Sequence, residues 1–129
     1  MSRFVVLRHE SSRGLHWDFM LETGPVLATW ALPEPPDSAG TMIAEALPDH
    51  RLAYLDYEGP VSGGRGSVTR WDQGTYALER RSDTELVVTL AGAKLTGSAS
   101  LTRLPGEPER WRFSYVKVES GEWRVESEE

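Results

Sequence analysis

Short apolar runs, most of them alternating with polar residues, recur along the 129-residue chain between breaks that carry glycine or proline. "RFVVLRHE" (3–10), "LHWDFMLE" (15–22), "VLATWAL" (26–32), "GSVTRWDQGTYAL" (66–78), "ELVVTLA" (85–91), "KLTGSASLTRL" (94–104) and "RWRFSYVKVE" (110–119) are each rich in β-branched or aromatic residues, the signature of strands. The breaks "ETGP" (22–25), "DQGT" (72–75), "LAGAK" (90–94) and "LPGEPE" (104–109) offer turn residues for hairpins. So many short strands predict an all-β domain, a small barrel or sandwich. One segment, "SAGTMIAEALPDH" (38–50), follows the proline-rich "PEPPD" and suits a helix, with Ser38 as cap and Pro48 as stop, as well as it suits a strand. A short helix or loop is therefore expected around residues 35–45.

On a strand, residues two apart share a face. In 15–22 this sets His16, Asp18, Met20 and Glu22 on one side and the apolar Trp17, Phe19 and Leu21, the natural packing side, on the other. His16 and Asp18 then meet solvent or a polar cavity. If "SSRG" (11–14) turns the chain, His9 joins them from the preceding strand. Two imidazoles and a carboxylate suit manganese, iron or zinc, with positions left for water or substrate. The same H-x-D spacing also suits a plain hydrogen-bonded couple, the commoner case.

Composition narrows the picture. The chain contains no cysteine, which excludes disulfides, thiolate metal sites and a cysteine nucleophile, and fits a reducing cytoplasm. "MSRFVVLRHE" reaches charge too early for a secretory signal, and no apolar run is long enough to span a membrane. Net charge is −6, but the last eleven residues, "ESGEWRVESEE", hold five acids against one Arg. Residues 1–118 thus read as one near-neutral domain and 119–129 as an acidic, solvated tail. Such a body neither requires nor forbids a phosphate-bearing partner, though it is not a strongly basic groove.

Other motifs carry less. His50 opens "DHRLAYLDYEG" (49–59), where Tyr54 follows on; by itself this reads as an exposed loop running into a strand whose tyrosines fill the core. "SGGRGS" (62–67) lacks the Gly-Lys-Ser/Thr ending of a nucleotide loop and leads into a strand, so it reads as a hairpin connection with Arg65 at its tip. In 110–118 the aromatic residues alternate with Arg110, Arg112 and Ser114, as an amphipathic strand closing a barrel would. Trp17, Trp30, Trp71 and Trp111 are most simply core.

The order of these blocks, "FVVLRHE", "LHWDFMLE", "VLATWALPEPP", "DHRLAYLDYEGPV" and "GGRGSVTRWDQGTY", resembles the 3′-phosphoesterase domain of bacterial DNA ligase D and its small free-standing relatives, from about Phe4 to Lys117. Any one block is weak, and the specificity lies in their shared order. The resemblance implies a curved β-barrel with a polar cavity. It also implies a metal-dependent enzyme, typically using manganese with zinc, cobalt or iron as alternatives, that removes a 3′-ribonucleoside or 3′-phosphate from DNA before end joining. The family's metal ligands match His9, His16 and Asp18, with the two histidines one residue further apart here because of Gly14. Its active-site histidine matches His50, its phosphate-contacting tyrosine matches Tyr54, and the family makes 41–50 a strand. The implied partners are DNA or RNA–DNA 3′ ends, with a repair ligase or polymerase supplied in trans.

Three positions depart from the pattern. Arginines that grip the phosphate in the family are replaced by Met20 and Met42, and a lysine by Glu34. Methionine cannot mimic a guanidinium fork, and each lost charge-assisted contact costs about 1.5–3 kcal/mol. Arg8, Arg13, Arg51 and Arg65 are the candidate replacements. The leading expectation is a phosphoesterase in which His50 acts as general acid or base and Tyr54 donates a hydrogen bond to a phosphate oxygen. The alternative is a catalytically weakened barrel that binds nucleic acid or protein, and a third possibility is a small phosphoester substrate.

Overall fold

A computed structural model describes residues 2–118; the acidic tail lies outside the described residues. Among the described residues nine strands form: β1 (Ser2–Ser11), β2 (Gly14–Thr23), β3 (Val26–Leu32), β4 (Thr41–Arg51), β5 (Gly59–Pro60), β6 (Ser67–Arg81), β7 (Glu85–Gly92), β8 (Thr96–Leu104) and β9 (Glu107–Lys117). A 3₁₀ turn, Leu52–Leu55, follows β4. All pairings are antiparallel. The order β1-β2-β3-β4-β9-β8-β7-β6 closes where β6 returns to β1, giving an eight-stranded barrel to which β5 adds a two-residue edge on β6.

Alternation along each strand sorts the side chains onto two faces. Inside the barrel, Phe4, Val6, Phe19, Leu21, Trp30, Leu32, Val88, Leu90, Leu101 and Phe113 form one buried cluster. Phe19 sits at its centre, with ring centroids 5.4 Å from Phe113 and 6.5 Å from both Phe4 and Trp30, in the tilted and edge-on arrangements that aromatic quadrupoles favour. Trp17, Trp71 and Trp111 pack against this cluster, as core tryptophans should. The barrel is therefore filled, and the polar cavity lies elsewhere. On the outer face of the same wall, Val5, Leu7, Met20, Leu27, Leu55 and Val68 make a second cluster, covered by the 3₁₀ turn and the 61–66 loop region.

Three local expectations need correction. Residues 41–51 are strand β4 and not helix, while 33–40 is loop. Pro48 does not stop a helix; it occupies a bulge, where the β3–β4 register shifts between Leu27 and Thr29. A missing N–H costs nothing in a bulge, and tertiary pairing to β3 and β9 overrides the local preference. Nor does "DQGT" turn the chain. Gly74 lies mid-strand, opposite Phe4 and Gly92, where β7 passes so close that a Cβ would overlap the Ala91 carbonyl. The "DHRLAYLDYEG" block also differs from a loop leading to a tyrosine-filled strand: it ends β4 and then coils into the 3₁₀ turn.

Asp72 explains the neighbouring turn instead. Its carboxylate, only 3% exposed, accepts the backbone N–H groups of Ala93, Lys94 and Leu95 at 2.9, 3.1 and 2.8 Å. It caps the β7–β8 connection from a different strand. Asp72→Ala leaves three donors without their acceptor and is expected to cost about 3 kcal/mol, with Asp72→Asn intermediate, in urea unfolding curves.

Candidate functional site

The β1–β2 hairpin sets His9 directly opposite His16 and Leu7 opposite Asp18. All three polar side chains leave the outer face, because the inner face of both strands is committed to the aromatic core. The His9 and His16 rings stand 4.6 Å apart between centroids. Asp18 lies between them: its Oδ2 is 3.2 Å from His9 Nδ1 and its Oδ1 is 2.9 Å from His16 Nε2. One ligand atom from each residue falls within 4.8 Å of the other two. The structure thus assembles the three residues that the sequence singled out for a cation.

Hydrogen bonding defines the chemistry of this cluster. His9 Nε2 donates to the backbone carbonyl of Arg65 at 2.7 Å. A carbonyl can only accept, so a neutral His9 carries its proton on Nε2 and turns the lone pair of Nδ1 towards Asp18 Oδ2. Two acceptors then face each other, an arrangement that requires a proton or a cation between them. Asp18 Oδ1 is likewise fully buried with no aligned hydrogen bond, although His16 Nε2 is close. A carboxylate buried to 3% exposure beside two ring nitrogens, with a backbone carbonyl orienting one ring, is a set of donors that could hold a divalent cation. The close approach of the Asp18 carboxylate to its ring raises the pKa of His16 above 6.5, against the opposing effect of burial, and the charges of Asp18 and Glu45 add to it.

These residues sit in a groove of about 1280 Å³ on the outer face of β1–β4, walled by the 3₁₀ turn, the 61–66 loop and the start of β9. His50 and Tyr54 line the same groove. The bulge at Pro48 sets the register that pairs His50 with Leu27, and His50 Nδ1 donates to the Pro48 carbonyl at 2.9 Å, leaving Nε2 available. The Tyr54 ring stands edge-on to His50 at 5.6 Å and to Tyr57 at 5.7 Å.

The candidate arginines divide. Arg13 and Arg51 line the groove, and among the described residues their guanidinium groups make no ion pair or hydrogen bond. Arg65 lines it too, but its guanidinium turns back onto its own loop, to Ser62 O at 2.7 Å and Ser62 Oγ at 3.2 Å. Arg8 is not brought in: strand alternation sends it to the face opposite His9, where it pairs with Glu10 at 3.3 Å. Met20 forms groove floor at 1% exposure, whereas Met42 packs against the barrel interior and Glu34 is exposed outside the groove. Of the three departures from the family pattern, Met20 alone therefore changes the groove.

Sequence reasoning missed Glu45, Glu109 and Arg110, which also line the groove. The alternation in 110–118 puts Arg110 on the polar face of its strand. The register Asp18–Ala31–Glu45–Arg110, which runs across β2, β3, β4 and β9, is what brings it into the groove.

Comparison with known proteins gives a consistent result. The DNA ligase D 3′-phosphoesterase domain family matches residues 7–103. The multifunctional non-homologous end joining DNA repair protein LigD of Mycobacterium tuberculosis is 36% identical over 123 residues, covering 88% of this chain and 16% of its own length. The LigD protein of Pseudomonas aeruginosa is 37% identical over 134 residues, covering 95% of this chain and again 16% of its own. That of Mycolicibacterium smegmatis is 31% identical over 121 residues. The chain spans about a sixth of the length of the relatives it matches.

The His16–Asp18 contact makes a pH-dependent contribution with a defined sign. Because the folded pKa of His16 is raised, the stabilisation is fully present below the unfolded value near 6.5 and is lost as pH rises through the folded value. In the metal-free protein, an NMR titration should find His16 changing charge above 6.5, and Asp18→Asn should bring it down.

Proposed function

Because the chain belongs to the DNA ligase D 3′-phosphoesterase domain family, we propose that its outer groove is the site of a metal-dependent phosphoesterase that trims 3′-ribonucleotide or 3′-phosphate ends of DNA for repair by end joining. The observation that carries this reading is the buried Asp18 carboxylate held between His9 Nδ1 and His16 Nε2. A manganese ion held by these three, or zinc, cobalt or iron in its place, would supply Lewis-acid polarisation of a phosphate oxygen and an acidified bound water.

The remaining roles belong to the chain itself. His50 donates an Nδ1–H hydrogen bond to the Pro48 carbonyl, which fixes the ring and leaves Nε2 to take or return a proton at the reacting oxygen. Histidine is the side chain suited to both directions near neutral pH. The Tyr54 hydroxyl donates to a non-bridging oxygen. Arg51, beside His50, and Arg13, across the groove, supply the positive charge that Met20 does not. The expected partners are DNA or RNA–DNA 3′ ends and a ligase or polymerase acting in trans. No helix among the described residues is long and apolar enough to cross a membrane, and a cytoplasmic location is part of the proposal.

Met20 favours a second reading. An uncharged thioether packed among Val5, Leu7, Leu27, Leu55 and Val68 gives the floor no grip on an anion, so a barrel that binds DNA ends or a protein without cleaving them is the alternative.

Purified protein with Mn²⁺ and a DNA primer ending in one ribonucleotide or in a 3′-phosphate separates the two. Cleavage is expected, abolished together with metal binding in His9→Ala, His16→Ala and Asp18→Ala. Arg51→Ala should lower kcat/KM roughly ten- to hundredfold. Bound metal without product would establish the binding module.

A further inference from the structure

The glycine-rich segment 62–67 is not used by the phosphoesterase reading, yet it touches the cluster through its backbone. We propose that the 61–66 loop is a positioning element for the cation site, in which the Arg65 carbonyl sets His9 in the tautomer that offers Nδ1 as a ligand. The proposal rests on the cation reading given above.

The bond from His9 Nε2 to Arg65 O, at 2.7 Å, links residues 56 apart in sequence. With the loop docked, the Nε2 proton is committed and Nδ1 presents a lone pair beside Asp18 Oδ2, 3.2 Å away. With the loop displaced, the proton can move to Nδ1 and close a neutral His–Asp hydrogen bond. That couple holds the ligand nitrogen and competes with a metal. Loop docking thus decides between an inert couple and a ligand set.

The docked position depends on Gly66. Its φ of +88° lies in the left-handed region, and an added Cβ would overlap the Glu10 carbonyl on β1. The loop is closed across its base by Val61 N–H to Gly66 O at 2.7 Å, and belted by the Arg65 guanidinium on Ser62. Gly64, in the same loop with φ +69°, has nothing within 4 Å of its own added Cβ. The pair provides a matched control: both substitutions strain a positive-φ position, but only one pushes the loop off β1.

The test uses the full chain and Mn²⁺ alone. Affinity is measured by titration calorimetry, and the His9 ring pattern by ¹⁵N NMR of the metal-free protein at alkaline pH, where imidazoles are neutral. Gly64→Ala should bind Mn²⁺ within about twofold of wild type, and Gly66→Ala tenfold or more weakly with His9 shifted to the Nδ1–H form. A folded Gly66→Ala protein with wild-type affinity overturns the proposal. If that variant does not fold, the wild-type spectrum decides, since an Nδ1–H pattern there also overturns it. Wild type that binds no Mn²⁺ overturns the cation reading and this proposal with it.

Discussion

A carboxylate removed from water must be answered by positive charge or donated protons, and in this chain that demand falls on Asp18. At 3% exposure it cannot be satisfied by solvent. Its neighbours are two imidazoles supplied by the hairpin register, one on the adjacent strand two residues beyond its partner Leu7 and one two residues away on its own strand. Neither gives it a conventional, fully aligned set of donors. The raised pKa of His16 follows from this demand, since its largest cause is the contact with Asp18.

The requirement can be met here because β1 and β2 are two-faced. Phe4, Val6, Phe19 and Leu21 anchor the inner side in the aromatic core, so the outer side is free to hold groups that a packed interior would exclude. Below the polar cluster, Leu7 and Met20 continue into a smaller apolar patch under the 3₁₀ turn. Rigid packing behind the ligands and an apolar floor beside them restrict how far either histidine can swing. That is the support a preorganised site needs.

Much of this was legible. The period-two pattern in 3–10 and 15–22 shows which side chains share a face, and the alternation in 110–118 shows the aromatic, core-facing side of β9; both need only strand geometry. The strand β4 was not legible from propensity, since "MIAEA" favours a helix locally and is held extended by pairing with β3 and β9. "DQGT" misled because Asp72 and Gly74 have turn chemistry but act across strands, one capping a distant connection and the other admitting a close neighbour. Arg65 pointed to the right loop by the wrong atoms: the side chain drew attention, and the main-chain carbonyl makes the contact. Register between non-consecutive strands, which places Arg110 in the groove, has no local signal at all.

Closure of the sheet has a consequence for how this protein meets others. Each of the eight barrel strands has hydrogen-bonded neighbours on both sides, and the one short addition, β5, ends in Pro60, which has no N–H to offer. Among the described residues there is accordingly little free backbone for a visiting peptide to extend the sheet by strand addition. Recognition has to be carried by side chains and connecting segments, so partner choice can change through surface substitutions without touching the barrel's architecture.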